Sequence, residues 1–377
     1  MAANNRIFYA CQMVGLRKAF AAGAVNIAHG VQSVGITTNF NLEQAFELGQ
    51  IQIYENIEGL PDVEVTMEKV IDGYPLLFHL ATDGAESAGL VGRSKARADV
   101  MLGIYSDGQD SVTDGAQVKP EIEIFCSGMF ISSVSYTMPV DGNATESVTL
   151  VGNNKEWIVL AANQHLTSAS TGFGADGPKS SGEGGIQRRE NLDLAKSRFP
   201  LGIYGVVATG ADATPSGNAL DGDGNPRVHM QNISISTDFS REDILELGRR
   251  TPYFRAPGFP IEVTCDIEAI AISGDFIAAF EEGDPALYAV PGASGDNTQE
   301  EDIQIVLENQ TGWDLGTKNR LSSVSYGGGD AAGGNVAITY SYTNFNDLDV
   351  LHSGDPGLVA NGGLMTYSPA QSGLVGM

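Results

Sequence analysis

The chain repeats itself, and no other feature limits its fold as much. Residues 32–49 read QSVGITTNFNLEQAFELG and residues 231–248 read QNISISTDFSREDILELG, aligned without a gap at an offset of 199. Eight of the 18 positions are identical, among them Phe40/Phe239, Glu47/Glu246, Leu48/Leu247 and Gly49/Gly248. The match resumes at Gly59/Gly258 and Pro61/Pro260. It then shifts by one residue, setting Glu64-Val65-Thr66 against Glu262-Val263-Thr264. Further on, Ser132-Ser133-Val134-Ser135-Tyr136 recurs as Ser322-Ser323-Val324-Ser325-Tyr326, with Ile122-Glu123-Ile124 and Ile303-Gln304-Ile305 upstream. Three collinear blocks predict a tandem duplication. A period of roughly 195 residues is too long for a solenoid and predicts two homologous domains.

Composition places the boundaries. Residues 1–160 form the first expected domain and 199–351 the second. Residues 161–198 are a Gly/Ser-rich insert and linker, and 352–377 an extended C-terminal arm with little periodicity. The 377 residues carry 21 Lys+Arg against 47 Asp+Glu, a net charge of -26. Both halves share it: 9 basic against 19 acidic residues over 1–160, and 7 against 21 over 227–377. Such a chain lacks the cations that bind DNA phosphates or an anionic membrane. A protein that handles DNA by repelling it stays open. Met1 to Gly15 lacks the apolar core of a signal peptide, and no apolar run reaches the roughly 18 residues of a membrane span. This predicts a chain made in a cytoplasm. Cys11, Cys126 and Cys265 are an odd, widely spaced set, expected as buried free thiols.

The patterning is mainly β with minor helix. Residues 31–38 alternate, as does their copy, Asn232 to Asp238. Asn41 and Ser240 resemble helix N-caps, with Gly49 and Gly248 as C-caps. They predict a two-turn helix or a turn between two strands in each copy, with Leu48/Leu247 and Phe46/Leu245 packed on the sheet. Val63 to Val70 and Ile261 to Ile267 read as strands, Glu86 to Met101 and Gly274 to Glu282 as helices, and Glu190 to Arg198 as a short helical pattern. Each domain closes with a hairpin: Phe130 to Met138 with Glu146 to Val151 around Asp141-Gly142, and Leu321 to Tyr326 with Val336 to Tyr342 around Gly327 to Gly334. Two β-sandwich or partial-barrel domains are the expected architecture.

Reactive constellations are weak. His29, His79, His165, His229 and His352 lie in no metal-ligand spacing, and there is no phosphate loop or nucleophile elbow. Asp221-Gly222-Asp223-Gly224-Asn225 resembles the start of a calcium loop, but Pro226 stands where Gly is needed and Asn232 where Glu is needed. The pairs Glu43/Glu47 and Glu242/Glu246 fit a glycosidase less well than solvated or interface carboxylates, being identical in both copies. No cofactor, metal or catalytic residue is expected. The repeats keep turn and strand residues, which marks a building block. Two fused homologous domains imitate a dimer and give rings of doubled apparent symmetry.

The blocks VQSVGITTNFNLEQAFELGQIQIYENIEGLPDVEVTMEKVIDGYPLLFHLA, ISSVSYTMPVDGNATESVTLVG and ITYSYTNFNDL resemble the major tail tube proteins of tailed bacteriophages. The resemblance spans most of both domains, but neither the 161–198 insert nor the arm. It implies a structural virion protein. Three two-domain chains make a pseudo-hexameric ring, and stacked rings conduct DNA from the capsid. It implies self-association and contacts with tape-measure, baseplate or tip, terminator and, in contractile tails, sheath proteins, with assembly in the host cytoplasm and residence in the virion tail. Double-stranded DNA passes without specific binding, and no membrane is involved. Six domains of about four strands make a barrel of roughly 24 strands and roughly 45 Å backbone diameter. An acidic lumen lets DNA slide. Asp141, Glu146, Asp107, Asp110, Asp296, Glu300 and Glu301 are the candidate lumen or interface acids; an acidic outer surface gives the same composition. Phe40, Glu47, Leu48, Gly49 and Tyr136, with Phe239, Glu246, Leu247, Gly248 and Tyr326, define the repeat. The competing readings are a carbohydrate-binding or adhesin module, a carboxylate hydrolase, or another tail component such as sheath, terminator or decoration protein.

Overall fold

Alternation decides the central elements. Val63, Val65 and Met67 point into the core, while Glu64, Thr66 and Glu68 between them stay exposed. The same two-residue period recurs through the strands described below. The computed structural model describes residues 7, 9–20, 25–83, 85, 89–105, 119–160, 162–166, 184–194, 196–200, 229–249, 251–270, 300–309, 311–327 and 335–352. The first half contributes β1 (Gln12–Lys18), β2 (Asn26–Ile27), β3 (Val31–Asn39), β4 (Leu42–Phe46), β5 (Ile53–Glu58), β6 (Asp62–Val70), β7 (Ala98–Ile104), β8 (Ile122–Pro139), β9 (Thr145–Gly152) and β10 (Glu156–Ile158). The second contributes β11 (Met230–Asp238), β12 (Glu242–Ile244), β13 (Phe254–Ala256), β14 (Glu262–Ile270), β15 (Gln304–Val306), β16 (Gly312–Asp314), β17 (Arg320–Tyr326), β18 (Ala337–Phe345) and β19 (Asp349–Leu351). Among the described residues two short α-helices, α1 (Leu77–Ala81) and α2 (Leu90–Arg93), lie in the first half. The protein is mainly β, as the patterning predicts.

Eight strands form one antiparallel run, β3-β6-β9-β8-β11-β14-β18-β17. It consists of two quartets, β3-β6-β9-β8 and β11-β14-β18-β17, joined where β8 pairs with β11. The quartets share register. Asn39 faces Asp62 as Asp238 faces Glu262. Ile131 and Ser133 face Leu150 and Thr149 across a bulge at Ser132; Leu321 and Ser323 face Tyr342 and Ser341 across a bulge at Ser322. This pairing sets Val63 against Val263, an offset of 200. The sequence alignment, which set Val65 against Val263, slips here by two residues. Both choices preserve the in/out period, so only the hydrogen-bonded partner strand distinguishes them.

The long β8 belongs to two sheet arms because it bends. Two of its residues, Ser127 and Gly128, bulge opposite Asp99 alone. Gly128 takes φ +66, a left-handed conformation costly for other residues, and its N–H donates to Asp99 Oδ1 at 3.0 Å. Before the bend β8 pairs with β7 and β10; beyond it, with β9 and β11.

Two helix expectations fail, and the helix-or-turn alternative at the first block resolves to a turn. Asn41 and Ser240 do not cap helices. Both take positive φ, 45° and 42°, and donate their N–H to the side chains of Asn39 and Asp238 two residues earlier. These turns send the chain into hairpins, β4–β5 and β12–β13, with Gly49 and Gly248 at the tips. Leu48, Phe46, Leu247 and Leu245 accordingly stand in solvent instead of packing on the sheet. Within Glu86 to Met101, only Leu90–Arg93 is helical among the described residues. Ala98–Ile104 is a strand buried at all seven positions, whose continuous apolar run carries no helical period. In Glu190 to Arg198 a single 3-10 turn, Arg189–Asn191, replaces the helical pattern. The Gly274 to Glu282 helix, most of the acidic loops and the Gly/Ser-rich stretch, the residues beyond His352 and Asp221 to Asn225 lie outside the described residues.

The core runs beneath both quartets, from Val65, Met67 and Val148 to Ile235, Ile267 and Tyr340. Trp313 of the small β15-β16-β19 sheet packs on Tyr136, ring centroids 5.2 Å apart. All three cysteines are buried and none is in a disulfide, as expected.

Candidate assembly surface

The eight-stranded run has two unlike faces. One holds Val134, Tyr136, Ile233, Ile235, Val263, Cys265 and Ile267 and lies on the core. The opposite face presents Ser133, Ser135, Ser234, Ser236, Thr264, Ser323 and Ser325. Its charged side chains on β6 and β14 are all acidic: Asp62, Glu64, Glu68, Glu262, Asp266 and Glu268. Among the described residues of these strands Arg320 is the basic side chain of this face, at its rim, and Arg255 of hairpin β12–β13 reaches Asp62 from outside the run. Part of the face is a cleft lined by Ser133, Ser135, Ser236, Asp238, Glu262 and Thr264. Sequence reasoning missed these acids, although the alternation V-E-V-T-M-E from Val63 to Glu68 already separates them from the core.

The two ends of the run are open. β3 has β6 on one side and β17 has β18 on one side, with no second partner among the described residues. Their counterparts meet inside the chain, since β3 corresponds to β11 and β17 to β8. The exposures differ accordingly. Tyr136 and Phe239, at the internal joint, are both 0% exposed; Tyr326 and Phe40, at the ends, are 53% and 63% exposed. Unpaired N–H and C=O groups along such edges template another strand.

The internal joint is held by more than its ladder. Hairpin β12–β13 leans over onto the first quartet. Phe254 meets Phe130 edge-on at 5.5 Å. Arg241 donates to the carbonyls of Ile131 and Ser94, both at 2.7 Å. Burial, then neighbouring Arg255, lowers the Arg241 guanidinium to about 10. Arg255 donates to Asp62 Oδ1 at 2.6 Å. Gly59 and Gly258 sit at the hairpin bases, where a Cβ would collide with the carbonyls of Asn41 and Ser240. Hairpin β4–β5 instead projects freely, and both hairpin tips expose leucine: Leu48 at 103% and Leu247 at 106%.

The expected acids fare differently. Asp141 is exposed at the β8–β9 turn. Glu300 is exposed and lies 3.5 Å from Arg320. Glu301 pairs its backbone with Asn319. Asp107, Asp110 and Asp296 lie outside the described residues. Glu47 and Glu246 are exposed near the hairpin tips; with their partners Glu43 and Glu242 they are not on a helix.

Glu146 is neither a lumen nor a surface acid: it is fully buried. Its carboxylate accepts from the N–H groups of Leu77 and Phe78, at 2.6 and 2.9 Å, and so caps α1 from a distant strand. Tyr136 Oη donates to it at 3.3 Å. Burial outweighs these donors and pushes its pKa from the ordinary 4.5 up to about 7. A carboxyl whose folded pKa is raised holds its proton more tightly in the fold. Its contribution is therefore most favourable below pH 4.5, and stability falls by about 3 kcal/mol as the pH rises to about 7. Urea unfolding across this range checks it: the fall in stability with pH is expected to be smaller, by about 3 kcal/mol, in Glu146→Gln than in the wild-type chain.

Among the described residues, no group of three or more His, Cys, Asp or Glu could hold a metal ion, and no helix is long and apolar enough to cross a membrane. The histidines are dispersed: His79 Nε2 lies 2.9 Å from the Val350 carbonyl, and His165 Nδ1 lies 2.8 Å from Glu123.

By sequence, no family profile and no curated protein matches the chain. Among solved structures, the tube-terminating cap of an anti-feeding prophage is similar over 42% of this chain and 95% of its own, at 11% identity and TM-score 0.30. A chain of the sheath–tube complex of an extracellular contractile injection system, in the extended state, matches over 42% and 95%, at 11% identity and TM-score 0.31. A chain of the sheath/tube terminator of such a system matches over 42% and 99%, at 14% identity and TM-score 0.30.

Proposed function

We propose that this chain is a structural tail component, the subunit of a tail tube. Three tandem-duplicated copies close head to tail into a 24-stranded, pseudo-hexameric ring, and stacked rings form a conduit for DNA. One observation carries the reading: the edges β3 and β17 are the counterparts of two strands that already pair inside the chain. Transferring the internal register predicts the contact between chains. Thr237, Ser236 and Ile235 face Val134, Ser135 and Tyr136. Thr38, Thr37 and Ile36 of one chain therefore face Val324, Ser325 and Tyr326 of the next. Closure covers Phe40 and Tyr326 and leaves no open edge.

The polar face then lines the lumen. Glu64, Glu68, Asp266 and Glu268 repel phosphate there, so a duplex slides instead of binding. The apolar hairpin tips at Leu48 and Leu247 supply contacts between stacked rings. Tape-measure, baseplate, terminator and sheath proteins are the expected partners in a phage tail.

The test is a double cysteine chain, Thr37→Cys with Ser325→Cys. The native thiols are buried and do not compete. Mild oxidation of the assembled protein is expected to give a covalent species that ends at the trimer in denaturing electrophoresis. Absence of cross-linking in assembled particles, or a series running past three chains, overturns the ring.

A further inference from the structure

Resting on that reading, we infer that the contact between chains is sealed by an ion pair between Glu55 of one copy and Arg320 of the next, where the contact inside the chain uses an aromatic pair. The correspondence is fixed by register. In β12–β13, Ile244 faces Phe254 and Asp243 faces Arg255; in β4–β5, Ala45 faces Glu55 and Gln44 faces Asn56. Glu55 therefore occupies the place of Phe254, and Asn56 that of Arg255. In the strands that receive the hairpins, Phe130 faces Val151 one residue before Ile131, and Arg320 faces Thr343 one residue before Leu321. Arg320 therefore occupies the place of Phe130.

Inside the chain these two positions touch, with the Phe254 and Phe130 rings 5.5 Å apart. Both have changed together at the open ends, one to an acid and the other to a base. The rest of the contact changes in step. Leu42 replaces Arg241 and so has no donor for the carbonyls that Arg241 engages. By the same transfer Asn56 meets Glu262 of the next copy, where inside the chain Arg255 binds Asp62 at 2.6 Å. Glu55 is exposed on β5, and Arg320 is exposed with a loose 3.5 Å contact to Glu300, so both are free to exchange partners.

The two joints are thus chemically distinct, and the distinction gives the assembly its direction. The β3 end of one copy matches the β17 end of another by charge. Two like ends bring no base to Glu55 and no acid to Arg320, so such a joint loses the charge match.

The experiment compares Glu55→Arg, Arg320→Glu and the double exchange in one chain. It measures the fraction in rings or tubes by sedimentation and negative-stain electron microscopy. Thermal melting of the unassembled chains checks that the fold is kept. Each single variant is expected to lose at least about tenfold in assembly at equal concentration, and the double exchange to recover most of it. Single variants that assemble like the wild type, or a loss that the double exchange does not restore, overturn the pair. Failure of the pair is separable from failure of the ring, because the Thr37→Cys/Ser325→Cys cross-link persists in the first case and is missing in the second.

Discussion

Phe239→Ala lowers the unfolding free energy of the chain by about 3–5 kcal/mol, whereas Phe40→Ala, at the matching position of the other quartet, changes it by about 0.5 kcal/mol or less. The two residues occupy the same place in the repeat. Phe239 is 0% exposed beneath the joint, its N–H bonded to the Ser132 carbonyl at the bulge at 2.8 Å, and truncation leaves a cavity among Phe130, Arg241 and β8. Phe40 is 63% exposed, so little packing is lost in the single chain. Assembly reverses the order. In the proposed ring, burying Phe40 against β17 of a second copy would contribute roughly 2 kcal/mol at each of three contacts, so Phe40→Ala is expected to suppress ring formation in a chain of normal stability. Urea unfolding of both variants and microscopy of Phe40→Ala check this. A Phe40→Ala chain that assembles normally argues against a second copy on that edge, and a Phe239→Ala chain as stable as wild type argues against the internal joint.

Lys69→Met is expected to destabilise the chain by about 3–5 kcal/mol. Lys69 is fully buried, its Nζ donating to Asp72 Oδ1 at 2.6 Å and to the His29 carbonyl at 2.7 Å. Removing the cation leaves a carboxylate 2% exposed without its counter-charge. Burial already raises the Asp72 carboxyl and Lys69 holds it down, so loss of Lys69 raises it further. The variant is therefore less impaired at pH 5 than at pH 8, where the proton is harder to keep. His29 responds as well: burial and then Lys69 lower it to about 4, and without the lysine it protonates more readily in mild acid. Lys69→Met with Asp72→Asn removes both charges and is expected to recover much of the loss. Urea unfolding at the two pH values measures all three chains. Equal loss in the single and double variants would show that packing, and not the unpaired carboxylate, sets the cost.

Much of the sheet was legible in the residues. Strands from Val31, Val63, Phe130, Glu146 and Leu321 appear where alternation or a hairpin turn predicts them, because the period-two pattern records which face is buried. The first block stayed ambiguous for a local reason. Asn41 and Ser240 favour caps and left-handed turns alike, and the two outcomes share a sequence signature. Ala98–Ile104 was misread because a strand buried on both faces has no alternation to detect.

The candidate surface divides in the same way. The repeated blocks and the alternation of Glu64 and Glu68 with Val63, Val65 and Met67 are properties of the chain read in order, and they determined a mainly β chain whose strands have one buried face and one polar face. Which acid lies inside was decided elsewhere. Glu146 continues the alternation of its strand, yet it lies under α1, because the N–H groups of Leu77 and Phe78, nearly 70 residues away, need an acceptor. Likewise Phe40 and Phe239 are indistinguishable as letters. Only the tertiary structure, by pairing β11 with β8 and leaving β3 open, makes one a core residue and the other an exposed edge. The physical reason is that sidedness is local, whereas strand pairing and burial depend on partners far along the chain.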